Sequence, residues 1–312
     1  MALDRTPGDP GSFQHEALLY DTERACVAGT VDFITDGLRG GEPVLVMVAP
    51  ERIAAVQSAI GRDADRVRFA DMRTVGRNPA RIIPVWQQFA AIHPDTPLRG
   101  VGEPVWPERC SAELVEAECH ELLLNLAFAG TAGLRLLCPY DRTRLDGDTI
   151  TRAHASHPTL RDQQGSRASD DYCDDIAAAV LHAPLLPAPD EARTLMFDAA
   201  RLHDVRELAR EVAQIHGLAA GSADDFVLAV DEVATNSVRY GGGTGVLRCW
   251  ESEGVLMCEV RDRGRIKDPL VGRIRPVVDD VSGRGLWIAN QVCDLVQVRS
   301  DPSGSVVRLH MR

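Results

Sequence analysis

The spacing of apolar residues changes character past the middle of the chain. In the first part, short continuous apolar runs alternate with stretches of three- and four-residue periodicity. EALLYD (16–21), EPVLVMVA (42–49), VRFADM (67–72) and LRLLCPYD (134–141) read as buried strands. Between them lie ERACVAGTVDFITDGLRGG (23–41), ERIAAVQSAIG (51–61), PARIIPVWQQFAAIH (79–93) and SAELVEAECHELLLNLAFAG (111–130). These have helical spacing, the first closed by a Gly-Gly stop. Such alternation predicts an α/β domain with a mainly parallel sheet and helices packed on its faces. Ligands of such sheets sit beyond the carboxyl ends of the strands. No GxGxxG or GxxxxGKS/T follows any of these strands, so no phosphate-cradling loop is expected there.

The second part has a different order. TLMFDA (194–199) reads as a strand, and LHDVRELAREVAQIHG (202–217) as a helix stopped by Gly217. SADDFVLAVDEVATNSVRY (222–240) is a second helix, for which Ser222 has the chemistry of an N-cap. Two strands follow around the turn Glu253-Gly254, then an Asp-, Pro- and Arg-rich loop, a helix over about 284–292 and a last hairpin around DPSG. Helices followed by a run of strands predict an α+β sandwich, one sheet covered by helices. The break between the parts is HAPLLPAPDEA (182–192), whose three prolines cannot continue a helix or a central strand.

Composition narrows the classes. The chain has 312 residues, enough for two domains, and its 45% apolar content supports a core in each. A net charge of −12 argues against a general nucleic-acid binder. No apolar run reaches the roughly 18 residues of a membrane span. The start is Pro/Gly-rich without an apolar core, so residues 1–12 read as a disordered leader and the protein as cytoplasmic. Eight cysteines stand singly without a CxxC pair, and most are expected as buried reduced thiols, with Cys258 a small hydrophobe in its strand. His154 and His157 stand at i, i+3, but no Cys or acid nearby in sequence completes a metal set.

The stretch DEVATNSVRYGGG (231–243) puts Glu232 and Asn236 one above the other on a helix face, just before three glycines. Two further stations follow in order: VRDRGR (260–265) at a strand end and SGRGLWIANQ (282–291) opening a helix. This series, over roughly residues 193–312, resembles the GHKL (Bergerat) ATP-binding fold of histidine kinases, gyrase and MutL. More closely, it resembles the RsbW-type anti-sigma-factor serine kinases. The resemblance implies ATP and Mg²⁺ as cofactors. Asn236 matches the Mg²⁺-binding amide and Glu232 the general base, while Arg239 falls near the phosphates. Asp262 matches the acid that accepts the adenine amino group, with Gly264 beside the base. Gly283 and Gly285 match the glycines that deliver the triphosphate to a helix start. The chain departs from the DxGxG pattern at Ile266, which stands where the second glycine is expected. Lys267, Arg273 and Arg275 fall in the segment expected to form a mobile lid. CHELLLN (119–125) is superficially similar to a phosphoacceptor histidine box, but it lacks the Pro, and His120 reads as an ordinary helix histidine.

Over residues 13–181, HEALLYD, GEPVW and CPYD, in this order, resemble the MEDS sensory domain, which implies a RecA-like α/β scaffold without its P-loop. His15, Tyr20, Glu103, Trp106 and Tyr140 match the positions that would line a pocket for a small-molecule ligand. Together the two resemblances imply a bacterial regulator in which a sensory domain governs a serine/threonine kinase. That kinase would phosphorylate an anti-sigma-factor antagonist and sequester a sigma factor. A switch that binds ATP without chemistry, and a histidine kinase, remain open as other readings. Relatives of the ATPase half often dimerise, so a homodimer is also open.

Overall fold

The computed structural model describes residues 12–173, 175–183, 185–276 and 283–312. The leader expected over residues 1–12 therefore lies, except for Ser12, outside the described residues. The chain divides into two compact units, Met1–Ile176 and Ala177–Arg312.

The first unit runs β1 (Gln14–Tyr20), α1 (Glu23–Arg39), β2 (Val44–Val48), α2 (Pro50–Ile60), β3 (Val67–Asp71) and α3 (Met72–Val75). It continues through α4 (Ile82–Ala91), β4 (Leu98–Gly102), α5 (Ser111–Ala127), β5 (Leu134–Asp141), α6 (Gly147–Ser156), β6 (Thr159–Asp162) and β7 (Gly165–Ala168). The seven strands form one sheet in the order β3-β2-β4-β5-β1-β6-β7, parallel except for the β6–β7 edge pair. Val44, Leu45, Val46, Met47 and Val48 are all buried, as expected for a strand covered on both faces. Helix α1 starts where Thr22 accepts a hydrogen bond from the N–H of Ala25 and ends at Gly40.

Strand β4 is absent from the apolar pattern because LRGVG carries a charge and two glycines. Its packing explains both. A Cβ at position 100 would stand 2.4 Å from Leu136 Cδ2 and 2.6 Å from the Trp86 indole. Only a bare backbone fits between them. Arg99 is buried because Nη2 meets Asp36 at 2.6 Å, Nη1 meets the Phe33 carbonyl at 3.0 Å, and Nε meets Glu42 at 2.5 Å.

Helix α7 (Ile176–Leu181) leads into the second unit. There follow β8 (Arg193–Asp198), α8 (Leu202–His216), α9 (Ala220–Tyr240), β9 (Thr244–Ser252), β10 (Val255–Asp262), α10 (Arg284–Val292), β11 (Leu295–Asp301) and β12 (Gly304–Met311). The sheet is antiparallel, in the order β11-β12-β10-β9-β8. Phe226, Ala229, Val230, Val233, Ala234 and Ser237 form the buried stripe of α9 at helical spacing. They pack with Val205, Ala209 and Val212 of α8 and Leu247, Val260, Val307 and Leu309 of the sheet. This is the α+β sandwich expected from the sequence.

Two local expectations are corrected. Helix α9 begins at Ala220 behind Ala219, with no side-chain cap, so Ser222 lies inside it rather than capping it. Cys249 and Cys258, expected as reduced thiols, face each other across β9 and β10 with Cα atoms 4.4 Å apart and are joined as a disulfide. The described part of the proline-rich segment 182–192 is also bonded to the sheet. Arg299 Nε donates to the Ala183 carbonyl and Arg308 Nη2 to that of Leu186, each at 2.6 Å, from the sheet face turned away from the helices. On that face Arg308 also pairs with the fully buried Glu259 at 2.5 Å.

Replacing Gly100 with Ala forces a methyl between Trp86 and Leu136. The expected cost is about 1–3 kcal/mol of stability, read as a lower denaturant midpoint for the N-terminal domain with the C-terminal transition unmoved.

Candidate functional site

In the C-terminal domain, three stations distant in sequence meet at the last two turns of α9. Glu232 and Asn236 sit half-buried on the flank of its apolar stripe, one turn apart. The start of α10 lies directly against them. A Cβ at position 285 would come within 2.7 Å of Glu232 Oε2 and 2.9 Å of Asn236 Nδ2. Gly285 therefore lets the start of α10 close directly on both side chains, an approach that any Cβ would block. Gly283, with φ of 75°, is the left-handed residue that caps this helix. Ser282, the first residue of that station, lies outside the described residues.

Asp262 ends β10 and is held at both oxygens. Ser237 donates to Oδ2 at 2.6 Å, and the Gly264 N–H donates to Oδ1 at 2.8 Å. The Arg263 N–H bonds to the Gly241 carbonyl at 3.1 Å, tying the strand end to the end of α9. Gly241 and Gly264 both permit this approach: a Cβ at 241 would meet Asp262 Cγ at 2.4 Å, and one at 264 the Tyr240 carbonyl at 2.7 Å. The carboxylate is thus oriented before any ligand arrives, and further lone-pair directions on its oxygens remain for an amino group.

Sequence reasoning missed Ser237, although a polar residue inside a buried stripe is a readable signal. It also missed Ser300 and Ser305. Ser305 Oγ donates to the Gly264 carbonyl at 2.8 Å, and Ser300 Oγ accepts from the Ile266 N–H at 2.9 Å. The Ile266 side chain packs against the core of the domain. Arg239 stands exposed in the last turn of α9. Of the lid segment, Lys267 and Arg275 are exposed and Arg273 is buried; residues 277–281 lie outside the described residues. Gly272 is held against α10, its carbonyl accepting from Asn290 Nδ2 at 2.9 Å.

In the N-terminal domain, the five residues expected around one pocket separate into two groups. Tyr20, Glu103 and Trp106 line a cavity of about 150 Å³ at the carboxyl ends of β1, β2, β4 and β5, together with Ala49, Arg52 and Asp141. That volume is on the order of a benzene-sized molecule. Arg52, unnoticed in the sequence, organises it: Nη1 pairs with Glu103, Nη2 donates to the Tyr20 hydroxyl at 2.8 Å, and Nε donates to Glu23 at 2.9 Å. Burial pushes the Glu103 carboxyl up to about 7, against the pull of Arg52. Burial, and next the Glu103 charge, raise the Tyr20 hydroxyl above its ordinary value.

His15 and Tyr140 belong elsewhere. His15 is at the amino end of β1, where Nε2 lies 3.0 Å from Glu121 Oε2, and the Tyr140 ring stands edge-on to His157 at 5.4 Å. Burial and the neighbouring His157 ring lower the pKa of His15. The pair His154/His157 does not form a site: His154 turns to Asp171 at 3.6 Å, while His157 is fully buried. His120 is buried on α5 at 1% exposure, so the neighbouring histidine box presents no accessible phosphoacceptor. Among the described residues, no helix is long and apolar enough to cross a membrane.

Comparison with known proteins agrees with this division. Residues 14–158 match the family profile of the MEDS domain (MEthanogen/methylotroph, DcmR Sensory domain), and residues 195–311 match that of the histidine kinase-like ATPase domain. The chain thus carries a MEDS domain followed by a histidine kinase-like (GHKL-like) ATPase domain. Among solved structures, the RsbU and RsbW domains of a Mycobacterium tuberculosis protein match at 21% identity and a TM-score of 0.31, over 40% of this chain and 33% of that one. The Acinetobacter baumannii histidine kinase AdeS matches at 11% identity and a TM-score of 0.22, over 38% of this chain and 66% of that one. No curated protein matches the chain.

Two outcomes are expected from these geometries. Gly285→Ala should leave the fold intact yet weaken Mg-ATP binding by about tenfold or more, near 1.4 kcal/mol, in a calorimetric titration. The second concerns pH. Because the folded Glu103 binds its proton more tightly than the ordinary 4.5, the stability it confers is fully present below that value. It is lost as pH rises through about 7. Glu103→Gln should abolish this decline, of about 3 kcal/mol, when denaturant midpoints of the full chain are compared at acidic and mildly alkaline pH.

Proposed function

We propose that the protein is a cytoplasmic regulator whose MEDS domain governs an ATP-dependent serine/threonine kinase. In this reading the kinase phosphorylates an anti-sigma-factor antagonist and sequesters a sigma factor. The observation that carries the reading is the convergence of Glu232, Asn236 and Gly285 at one point, with Asp262 of β10 held by Ser237 of the same helix. A helix start seated by Gly285 directly on a carboxylate and an amide supports this reading, because it gathers anion-binding N–H groups and two oxygen donors at one point. Bound Mg-ATP supplies a γ-phosphoryl group and a cation that offsets the charge developing in transfer.

The chain's own residues divide the remaining work. Asn236 offers an amide oxygen to the hard cation. Glu232 takes the proton of the attacking serine or threonine hydroxyl. Asp262, aligned by Ser237 and Gly264, accepts from the adenine amino group. Backbone N–H groups at the start of α10 face the phosphates, where the helix end favours negative charge. Phosphorylating the antagonist adds nearly two negative charges at its interface and releases it. The cavity at Tyr20, Arg52, Glu103 and Trp106 is the proposed place for the small-molecule signal.

A second reading, an ATP-occupied switch without chemistry, is favoured by Ile266. Its N–H is tied to Ser300 and its side chain to the core, which stiffens the base of the lid where a glycine would leave it free.

Melting curves with and without Mg-ATP, followed by labelled phosphoryl transfer to candidate antagonists, test the proposal. The wild type should gain about 2.7 kcal/mol at a hundredfold excess over Kd, and Asn236→Ala should lose most of it. Transfer should vanish in Glu232→Gln while nucleotide binding persists. Binding without transfer to any antagonist would favour the switch. No shift at millimolar nucleotide would overturn both readings.

A further inference from the structure

Outside the cavity and the nucleotide station, the first domain buries a second group of reactive side chains. His15 on β1, Glu121 on α5, Cys138 on β5 and His157 just after α6 are each 2% exposed or less. Each offers one donor atom, and the four atoms lie within 4.8 Å of one another. His15 Nε2 is 3.0 Å from Glu121 Oε2 and 3.4 Å from Cys138 Sγ, while His157 Nε2 is 3.1 Å from the same carboxylate oxygen.

The surroundings fix which way the two rings carry their protons. His157 Nδ1 lies 2.8 Å from the Ala153 carbonyl and 3.0 Å from the Ser156 hydroxyl; the carbonyl is the closer and only accepts, so Nδ1 holds the hydrogen, Ser156 Oγ lies alongside, and Nε2 keeps its lone pair. Asn125 Nδ2 donates to the Ser156 carbonyl at 2.7 Å, which sets the amide so that its oxygen faces His15 Nδ1 at 3.1 Å. His15 Nδ1 is then also the donor. Two imidazole lone pairs and a carboxylate consequently point at one another in the dry interior. Glu121 Oε1 and His157 Nε2 have no hydrogen-bond partner among the described residues. One thiol proton does not satisfy so many acceptors, and charging both rings would place two cations with ring centres 4.0 Å apart.

We propose that His15, Glu121, Cys138 and His157 form a binding site for a divalent transition-metal ion of the zinc class. Imidazole, thiolate and carboxylate are the ligand types such an ion takes. Bonds of about 2.0 Å to N or O and 2.3 Å to S put tetrahedral neighbours about 3.3–3.5 Å apart, close to the spacings present. Binding converts M²⁺ and the Cys138 thiol into a metal thiolate plus one released proton. With Glu121 ionised and both rings neutral, the site's charge sums to zero. Ala153 and Asn125 supply the outer partners that ligating histidines commonly have. Four buried protein ligands leave no open position, so the ion braces the sheet, α5 and the end of α6 rather than activating a substrate.

The test uses the full chain, unfolded with chelator under reducing conditions and refolded with Co²⁺ or Zn²⁺ in the absence of nucleotide. About one equivalent of metal per chain is expected, with visible ligand-field bands and a near-ultraviolet thiolate-to-cobalt band. Cys138→Ser should lose the thiolate band and Glu121→Gln should weaken affinity at least tenfold. The metal-loaded wild type should melt higher than the metal-free form. Should the variants fail to fold, the wild-type stoichiometry and spectrum decide alone. Folded wild-type protein that retains no metal and shows no cobalt spectrum would overturn the proposal, leaving a proton-bridged cluster. A spectrum unchanged in both folded variants would overturn it too, because the ion would then sit elsewhere.

Discussion

The C-terminal domain turns on the carboxylate of Asp262. One oxygen is held by Ser237 of α9 and the other by the N–H of Gly264 in the loop that follows its own strand. These bonds lock the end of β10 to the last turn of α9. Because Glu232 and Asn236 lie on that same part of the helix, fixing Asp262 also fixes its distance from that pair. The apolar stripe of α9 supplies the rigidity, since its buried residues run without interruption from Phe226 to the turn that carries Ser237. Function here is placed by a helix whose one face is committed to the core.

The N-terminal domain solves a harder electrostatic problem. Its parallel sheet is covered on both faces, yet Arg52, Arg99, Glu103 and Glu121 are all buried in it. Burying ions costs several kcal/mol each unless every one finds close partners, so such groups rarely serve stability alone. Arg99 is matched by Asp36, Glu42 and a carbonyl, and reads as structural. Arg52 and Glu103 face a cavity at the carboxyl ends of the strands, where this sheet class binds ligands. Glu121 has no arginine or lysine partner among the described residues and is flanked by the rings of His15 and His157 and the thiol of Cys138. The three buried sites thus differ in how completely their charges are matched.

Much was legible in the sequence because it follows from local rules. The alternation of short apolar runs with helical periods gave the parallel sheet, and the apolar stripes with Gly217 and Glu253-Gly254 gave the second sandwich. The i, i+4 placement of Glu232 and Asn236 is itself a local fact of helix geometry. Strand β4 was invisible, because its glycines are there for Trp86 and Leu136, which lie elsewhere in the chain. The Cys249–Cys258 pairing was equally hidden: it needs the register of β9 on β10, which two separate cysteines do not announce.

What the sequence determined alone was the kind and order of the elements, and which residue types could meet a nucleotide. Short-range periodicity and turn chemistry act within a few residues and need no tertiary partner. Only the folded chain decided which distant groups share a space. It separated His15 and Tyr140 from Tyr20, Glu103 and Trp106, because the former pack beneath α5 and α6 while the latter surround the strand ends. It brought His15, Glu121, Cys138 and His157 together from β1, α5, β5 and the end of α6. Nothing in their spacing forecasts that meeting, since the parallel register and the packing of two helices over it set the distances.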